Sequence, residues 1–374
     1  MGGCADVISY VLPTRDRPTV LARTLAKLGE LSAHEAEVIV VDNASAVPVQ
    51  LEPMLANGVA VRVVRLERNA GAAGRNVGAA ATNPASRWIV MLDDDSYPLD
   101  VGHLEVLRQA RPDVAAIGAE IWLPAVDGRS RHEAGGLPEV IVGCGAAIRR
   151  NVFLEIGGYD EKFDYYAEEY DLCARLILRG WLVAFDTRFS VIHHKERQGR
   201  NFSRIVRNLT RNNAWVMQRY APEAERTALV RAEVARYRRI AAKEWATAGW
   251  MRGVADLAMT LWRQPRMEMN AAQWARFTGL AAARQAIAGA IAGHRSLQRV
   301  AIVAPGKNEP VVRRAVVEAG LEIVEHADDA DALLIGTLSP GPMLDAAGAL
   351  RASAKPVIVP FAPPSRPLAD AAAA

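Results

Sequence analysis

The first half of the chain alternates short apolar runs with helical patterns, and that alternation leaves few folds open. "VISYVLP" is followed by "TVLARTLAKLGEL", then "AEVIVVDNAS", "VRVVRLE", a Gly/Ala-rich helix start and "WIVMLDDD". Such β-rich runs, separated by helical segments, predict βαβ units and a mostly parallel sheet covered on both faces. Apolar strands that end in polar loops put the chemistry at the carboxyl edge of the sheet, where open α/β folds bind ligands. Pro13-Thr14-Arg15, Asp42-Asn43, Arg68-Asn69 and Asp93 to Asp95 all fall at such strand ends.

From about residue 200 the pattern becomes helical and rich in Arg, with Pro222 as its main interruption, and near residue 295 β/α alternation resumes with "RVAIVAP", "ADALLIG" and "KPVIVPF". The expected division is an α/β catalytic domain over residues 1–200, an Arg-rich helical region over 201–294 and a small α/β domain over 295–374 with a frayed tail. A length of 374 residues accommodates two to three domains, and 51% hydrophobic residues exclude disorder as the main theme. A net charge of +3 gives no ground for nucleic-acid binding. Cys4, Cys144 and Cys173 lie far apart without zinc-ligand spacing, so a reducing compartment fits best. No window approaches the roughly 20 apolar residues of a membrane span, and the expectation is a soluble cytoplasmic protein. Arg204, Arg207 and Arg211 fall at helical spacing with Trp215 continuing the face. They read as a solvated face or as a surface for anionic partners, such as acidic phospholipid at the inner face of the membrane.

Two acidic groups carry the chemistry. Asp93, Asp94 and Asp95 in "WIVMLDDDSYP" have no basic residue beside them. Like charges kept ionised need compensation, which a solvated turn or a hard divalent ion could supply. In "FDYYAEEYDLCARLILRGW", Glu168, Glu169 and Asp171 precede the apolar Leu172, Leu176 and Leu178 and so sit at a helix N-terminus. The helix dipole favours them there, and with Tyr165, Tyr166 and Tyr170 they also suit a sugar-lined cleft with a general base. Gly71, Gly74 and Gly78 in "ERNAGAAGRNVGAAA" allow a close turn or ease helix packing, but the spacing is not that of a dinucleotide fingerprint.

The order PTR, VVDNAS, RNAGAAGRN, MLDDDS, GGYDE, AEEYDL and HH over residues 6–200 resembles family 2 glycosyltransferases. The resemblance implies a GT-A fold, the Rossmann-like mixed sheet of nucleotide-diphospho-sugar transferases, and a nucleotide-sugar donor with Mg²⁺ or Mn²⁺. It implies that Pro13, Thr14, Arg15, Asp42 and Asn43 hold the nucleoside, and that Arg68, Asn69, Gly71 and Arg75 face the diphosphate. Asp93 to Asp95 match the family's DxD element, with Asp95 as direct metal ligand and Asp93 or Asp94 facing ribose or a metal-bound water. His193 or His194 stands where the family often places a histidine near the metal. Glu168-Glu169 occupies the position of a Glu-Asp pair, with Glu169 the first candidate for the base and Glu168 the second. A single base there implies an inverting transferase acting on a saccharide or lipid-linked acceptor, as in cell-surface polysaccharide or glycolipid synthesis. A sugar nucleotidyltransferase and a non-catalytic nucleotide-sugar-binding scaffold are the rival readings.

Overall fold

The structure, a computed structural model, describes residues 7–125, 130–195, 201–294 and 296–361. The chain opens with β1 (Ile8–Thr14), α1 (Pro18–Gly29), β2 (Ala36–Asp42), β3 (Ala60–Arg65), α2 (Gly74–Ala81) and β4 (Trp88–Leu92). It continues through β5 (Ser96–Pro98), α3 (Gly102–Gln109), β6 (Val114–Leu123), β7 (Arg131–His132), β8 (Gly145–Arg149), α4 (Arg150–Glu155), α5 (Glu168–Leu178) and β9 (Leu182–His193). Five helices follow: α6 (Phe202–Tyr220), α7 (Glu223–Lys243), α8 (Thr247–Thr260), α9 (Ala271–Thr278) and α10 (Leu280–Gly293). The last part holds β10 (Arg299–Val303), α11 (Glu309–Glu318), β11 (Glu322–Val324), β12 (Ala332–Ile335), α12 (Pro340–Ala349) and β13 (Val357–Ile358).

Packing divides this chain into two compact units. The first comprises Met1–Asp95, Ile148–Gly180 and Lys195–Trp274, and the second Ser96–Ala147, Trp181–His194 and Ala275–Ala374. In the first unit the strand order is β3-β2-β1-β4, all parallel, as the alternation predicts. The registers Thr14 to Asp42 and Asp42 to Arg65 set three polar side chains in line at the carboxyl edge. β1, β2 and β4 are buried nearly throughout, while β3 is an edge strand whose exposed Arg62 and Arg65 guard it against pairing with another chain. α1 opens with Pro18 and buries Leu21, Thr24, Leu25 and Leu28 at helical spacing.

The helices α6 to α8 complete the first unit. α6 starts where the Asn201 side chain accepts the Arg204 N–H at 3.0 Å, and Pro222 separates it from α7. α8 approaches α6 through glycines: a Cβ on Gly249 would stand 2.2 Å from the Ser203 carbonyl oxygen, and one on Gly253 2.7 Å from that of Arg207. Any side chain there would force the two helices apart.

In the second unit β9 pairs parallel with β6 and antiparallel with β5, and β7 pairs antiparallel with β6. A separate parallel sheet has the order β11-β10-β12-β13. The contacts therefore group the chain differently from the linear division at residues 200 and 294, because the C-terminal α/β part packs on β6 and β7. His132 Nδ1 is 2.6 Å from Asp345 Oδ1 on α12, its Nε2 is 3.1 Å from Glu120 Oε1 on β6, and its ring lies 3.8 Å from that of Trp122. Sequence reading cannot see this junction, since residues 132 and 345 are joined only by tertiary packing.

Candidate active site

The acidic turn after β4 finds its compensating charge far away in the sequence. Arg17, at the start of α1, forks across two carboxylates: Nη1 is 2.7 Å from Asp94 Oδ1 and Nη2 is 2.8 Å from Asp95 Oδ2. Arg75, buried on α2, pairs with Asp93 and also donates to the Leu92 carbonyl at 3.3 Å. Asp94 further accepts from Thr14 Oγ1 at 2.7 Å, and its backbone carbonyl accepts from Thr24 Oγ1 at 2.7 Å. Asp94 and Asp95 are buried, whereas the Asp93 side chain is 36% exposed. Burial pushes the Asp94 carboxyl up to about 7, against the pull of Arg17 and Thr14 and with the help of the neighbouring Asp95 and Asp93. For Arg75 burial opposes the charge, but Asp93, with Tyr159 and Glu168, holds its proton more firmly than usual.

The ends of β2 and β3 and the glycine segment form a second layer. Asp42 is fully buried and accepts from Ser45 N–H at 2.8 Å, Val49 N–H at 3.2 Å and Arg65 Nη1 at 2.6 Å. Burial disfavours its charge, yet the bonds from Ser45, Val49 and Arg65 outweigh that and lower its pKa. Asn43 donates to the Gly71 carbonyl at 3.0 Å and accepts the Ala70 N–H at 2.7 Å, while Asn69 Oδ1 accepts the Gly71 N–H at 2.9 Å. Gly71 has φ +62°, and a Cβ there would lie 2.4 Å from the Asp164 carbonyl oxygen, so only glycine fits. Pro13 lies within β1. Arg15 and Arg68 are exposed, Arg15 with its Nε 3.5 Å from Asp16.

The loop before α5 is held by α6. Asn212, fully buried, points one amide nitrogen at the carbonyls of Phe163, Tyr165 and Tyr166, at 2.8, 2.9 and 2.7 Å. Between these contacts Asp164, Tyr166 and Ala167 adopt φ of +61°, +74° and +65°, the left-handed region that non-glycine residues avoid. Asp164 accepts from Arg204 at 2.8 Å and Asn208 at 3.1 Å, and its carbonyl accepts the Ala72 N–H at 2.7 Å, which joins the loop to the glycine segment.

The three carboxylates of α5 have different surroundings. Glu168 is buried and its Oε2 has no hydrogen-bond partner. Burial raises its pKa well above the ordinary carboxylate value, Glu169 adds to the rise, and Arg75 opposes it. Glu169 is half-buried at the same helix start. Asp171 is fully buried and accepts from Arg219 Nη1 at 2.7 Å, Tyr220 Oη at 2.6 Å and Arg175 Nε at 2.8 Å. Its oxygens are thus engaged in tying α5 to α6.

His193 and His194 belong to the second unit. His193 Nδ1 lies 3.1 Å from Glu133 Oε2 and 3.4 Å from Cys144 Sγ, and His194 Nε2 lies 3.1 Å from Tyr97 Oη.

Among the residues singled out in the sequence, Thr14, Arg75, Asp93, Asp94 and Asp95 come together in one cluster, joined by hydrogen bonds and ion pairs in which Arg17 links Asp94 to Asp95. Asn43, Asn69 and Gly71 form the loop that abuts Asp164. Sequence reading missed Arg17, Asp164, Asn212 and Arg219. Arg17 stands two residues after the Arg15 it selected, and a guanidinium placed before a Pro-initiated helix was the only signal available. Arg204, Arg207 and Arg211 each have a partner in the same unit, with Arg204 and Arg207 still exposed: Arg204 meets Asp164, Arg207 meets Asp256 at 2.6 Å, and Arg211 lies over the Trp215 ring at 4.5 Å.

Residues 9–115 match the family model described as glycosyl transferase family 2. This segment belongs to glycosyl transferase family 2. The O-antigen biosynthesis protein RfbC of Myxococcus xanthus is 28% identical over 222 residues, which cover 50% of this chain and 17% of that one. The N-acetylglucosaminyl-diphospho-decaprenol L-rhamnosyltransferase of Mycobacterium tuberculosis is 42% identical over 48 residues, 13% of this chain and 16% of that one. The chain thus spans less than a fifth of the length of either relative. Among solved structures, GalNAc-T7 with UDP, GalNAc and Mn²⁺ aligns at a TM-score of 0.47 and 16% identity, covering 70% of this chain and 58% of that one. Within the family 2 segment lie Thr14, Arg17, Arg75 and the acidic turn, so the cluster built above falls inside the part of the chain that the family model describes.

Proposed function

We propose that the chain is an inverting glycosyltransferase that moves a sugar from a nucleoside diphosphate donor to an acceptor hydroxyl. The observation that carries this reading is the pairing of Arg75 with Asp93 beside the α5 carboxylates. It draws the acidic turn and the glycine segment together, and Arg75 acts electrostatically on Glu168. Asp42, Asn43, the loop they organise and the exposed Arg15 would receive the nucleoside, and the exposed Arg68 is suited to approach the diphosphate.

The donor set of the turn is all oxygen, which suits a hard divalent cation. The buried Glu168 Oε2, an oxygen with no hydrogen-bond partner, and the part-exposed Asp93 carboxylate fit one. Asp93 and Asp95 would hold Mg²⁺ or Mn²⁺, and when bound the ion would neutralise charge on the departing diphosphate. Glu169, the more accessible of the pair, takes the proton of the acceptor hydroxyl. The hydroxyl oxygen forms its bond to the anomeric carbon as the carbon–oxygen bond to the diphosphate breaks, and the nucleoside diphosphate leaves with the electron pair. A single displacement of this kind inverts the anomeric centre. The rhamnosyltransferase relative favours a lipid-linked saccharide as acceptor.

Incubation with a panel of nucleotide sugars, with and without chelator, tests the reading. Release of a nucleoside diphosphate that stops with chelator supports it, and release of pyrophosphate would assign the site to nucleotidyl transfer instead. Binding of a donor without any turnover across a panel of lipid-linked and free saccharides would favour a non-catalytic scaffold.

A further inference from the structure

Helix α8 turns the wrong kind of face to water. Its buried side carries Gly249, Gly253 and Leu257 against α6. At helical spacing on the opposite side stand Ala248, Met251, Ala255, Met259 and, just past the helix end, Trp262. Met251 is 55% exposed, Met259 60% and Trp262 71%. Single exposed apolar residues are ordinary, but a continuous apolar stripe on the solvent side of a helix is not. The only charge on this side of α8 is Arg252, because the carboxylate of Asp256 is turned toward Arg207.

A second observation stands at the other end of the helix. Trp245, between α7 and α8, is 95% exposed and has φ +54°, a conformation that bulky side chains avoid. The chain thus accepts backbone strain at a position where the indole meets no protein surface. An exposed indole thus stands just before and just after a helix of 14 residues, or about 21 Å, and the Arg263 guanidinium lies over the Trp262 ring at 4.7 Å. Tryptophan suits the boundary between water and hydrocarbon, with an apolar ring and one N–H to hydrate.

The charges around the stripe choose the partner. Between residues 238 and 263 the basic residues are Arg238, Arg239, Lys243, Arg252 and Arg263, five against the two acidic residues Glu244 and Asp256. Asp256 is already paired, so this stretch of chain joins an exposed apolar face to an excess of positive charge. Among the described residues no helix is long and apolar enough to cross a membrane. We propose that α8 lies on an anionic lipid bilayer, with Trp245 and Trp262 inserted at the headgroup level and Arg252 and Arg263 against lipid phosphates. This puts the lipid contact on α8 instead of on Arg204, Arg207 and Arg211, whose charges or rings already face Asp164, Asp256 and Trp215. It holds whatever sugar is transferred.

The test is flotation of the full chain with vesicles of phosphatidylcholine alone and of phosphatidylcholine mixed equally with phosphatidylglycerol. Partition onto the anionic vesicles should be at least tenfold stronger, given about 1 kcal/mol per basic residue near such a surface. The double variants Trp245→Ser/Trp262→Ser and Arg252→Glu/Arg263→Glu should each lose about tenfold or more of it. All four residues are exposed, so circular dichroism should show an unchanged fold. Brominated lipid should quench the wild-type fluorescence more than that of the tryptophan variant. Equal partition onto both vesicle types, or variants that partition like the wild type, would overturn the proposal. So would the absence of vesicle binding together with a dimer in light scattering that the tryptophan variant abolishes, which would give the face to a second copy of the chain.

Discussion

Replacing Asn212 with Leu should separate holding the α5 carboxylates from binding the donor. The Asn212 amide nitrogen carries two hydrogens for three carbonyls, those of Phe163, Tyr165 and Tyr166, so one contact is shared. Leucine keeps the volume and removes both donors. A buried polar group left without its partner costs about 1–3 kcal/mol. Two bonds' worth, partly recovered by relaxation, gives a loss of about 2–4 kcal/mol in unfolding free energy. The same loop carries positive φ at Asp164, Tyr166 and Ala167, each a strain of about 1–3 kcal/mol that the surrounding contacts impose. Without the clamp this strain relaxes, and Glu168 and Glu169, the next residues in the chain, shift. A displacement near 1 Å at a reacting group lowers rate by about a hundredfold. The donor contacts assigned to Asp42, Asn43 and Arg68 lie on other loops. Denaturant unfolding, donor calorimetry and transfer kinetics on the same preparation should therefore show reduced stability, a donor Kd within about twofold of wild type and kcat down by about a hundredfold. A folded variant with wild-type kcat, or one in which donor binding falls in step with kcat, would refute the reasoning.

Other consequences concern buried charge. Glu168 has a pKa raised well above the ordinary value on folding, so its ionised form opposes the native state. The penalty is absent below the unfolded value and grows as pH rises toward the folded one. Glu168→Gln should accordingly unfold at a higher temperature than wild type at pH 8, and the gap should close near pH 4.5 in differential scanning calorimetry. His132 has the opposite sign: burial lowers its pKa, but Glu120 and Asp345 outweigh that and raise it. The stability it lends to the junction of α12 with β7 is full below the unfolded value near 6.5 and is lost as pH rises through the folded value. Hydrogen exchange in α12 should therefore speed up as pH rises beyond the change that base catalysis brings, and His132→Gln should abolish that excess.

What the sequence made legible follows from the reach of the signals in it. Period and polarity identify βαβ units because those are local, and in a parallel sheet they also fix which strand ends share an edge, as the register of Thr14, Asp42 and Arg65 shows. Pairing across long separations is not local. The question of what compensates Asp93 to Asp95 had its protein answer in Arg17 and Arg75, and Arg17 is 78 residues from Asp95. Helical spacing put Arg204, Arg207 and Arg211 on one face but could not name their partners, Asp164, Asp256 and the Trp215 ring. Asp171, Glu168 and Glu169 look alike in sequence, and only the arrival of Arg219 and Tyr220 from α6 distinguishes Asp171 as a tie between helices. The stripe on α8 escaped for the same reason, since an apolar helix face reads as buried until the structure shows it in water.

On the proposed mechanism Glu169 removes the acceptor proton in a site that binds its donor independently. Once the donor panel has identified a nucleotide sugar, the decisive measurement is transfer by Glu169→Gln beside donor binding by the same protein. With Glu169 as the base, kcat should fall by about two to four orders of magnitude with donor affinity retained. Undiminished transfer by that variant would contradict it.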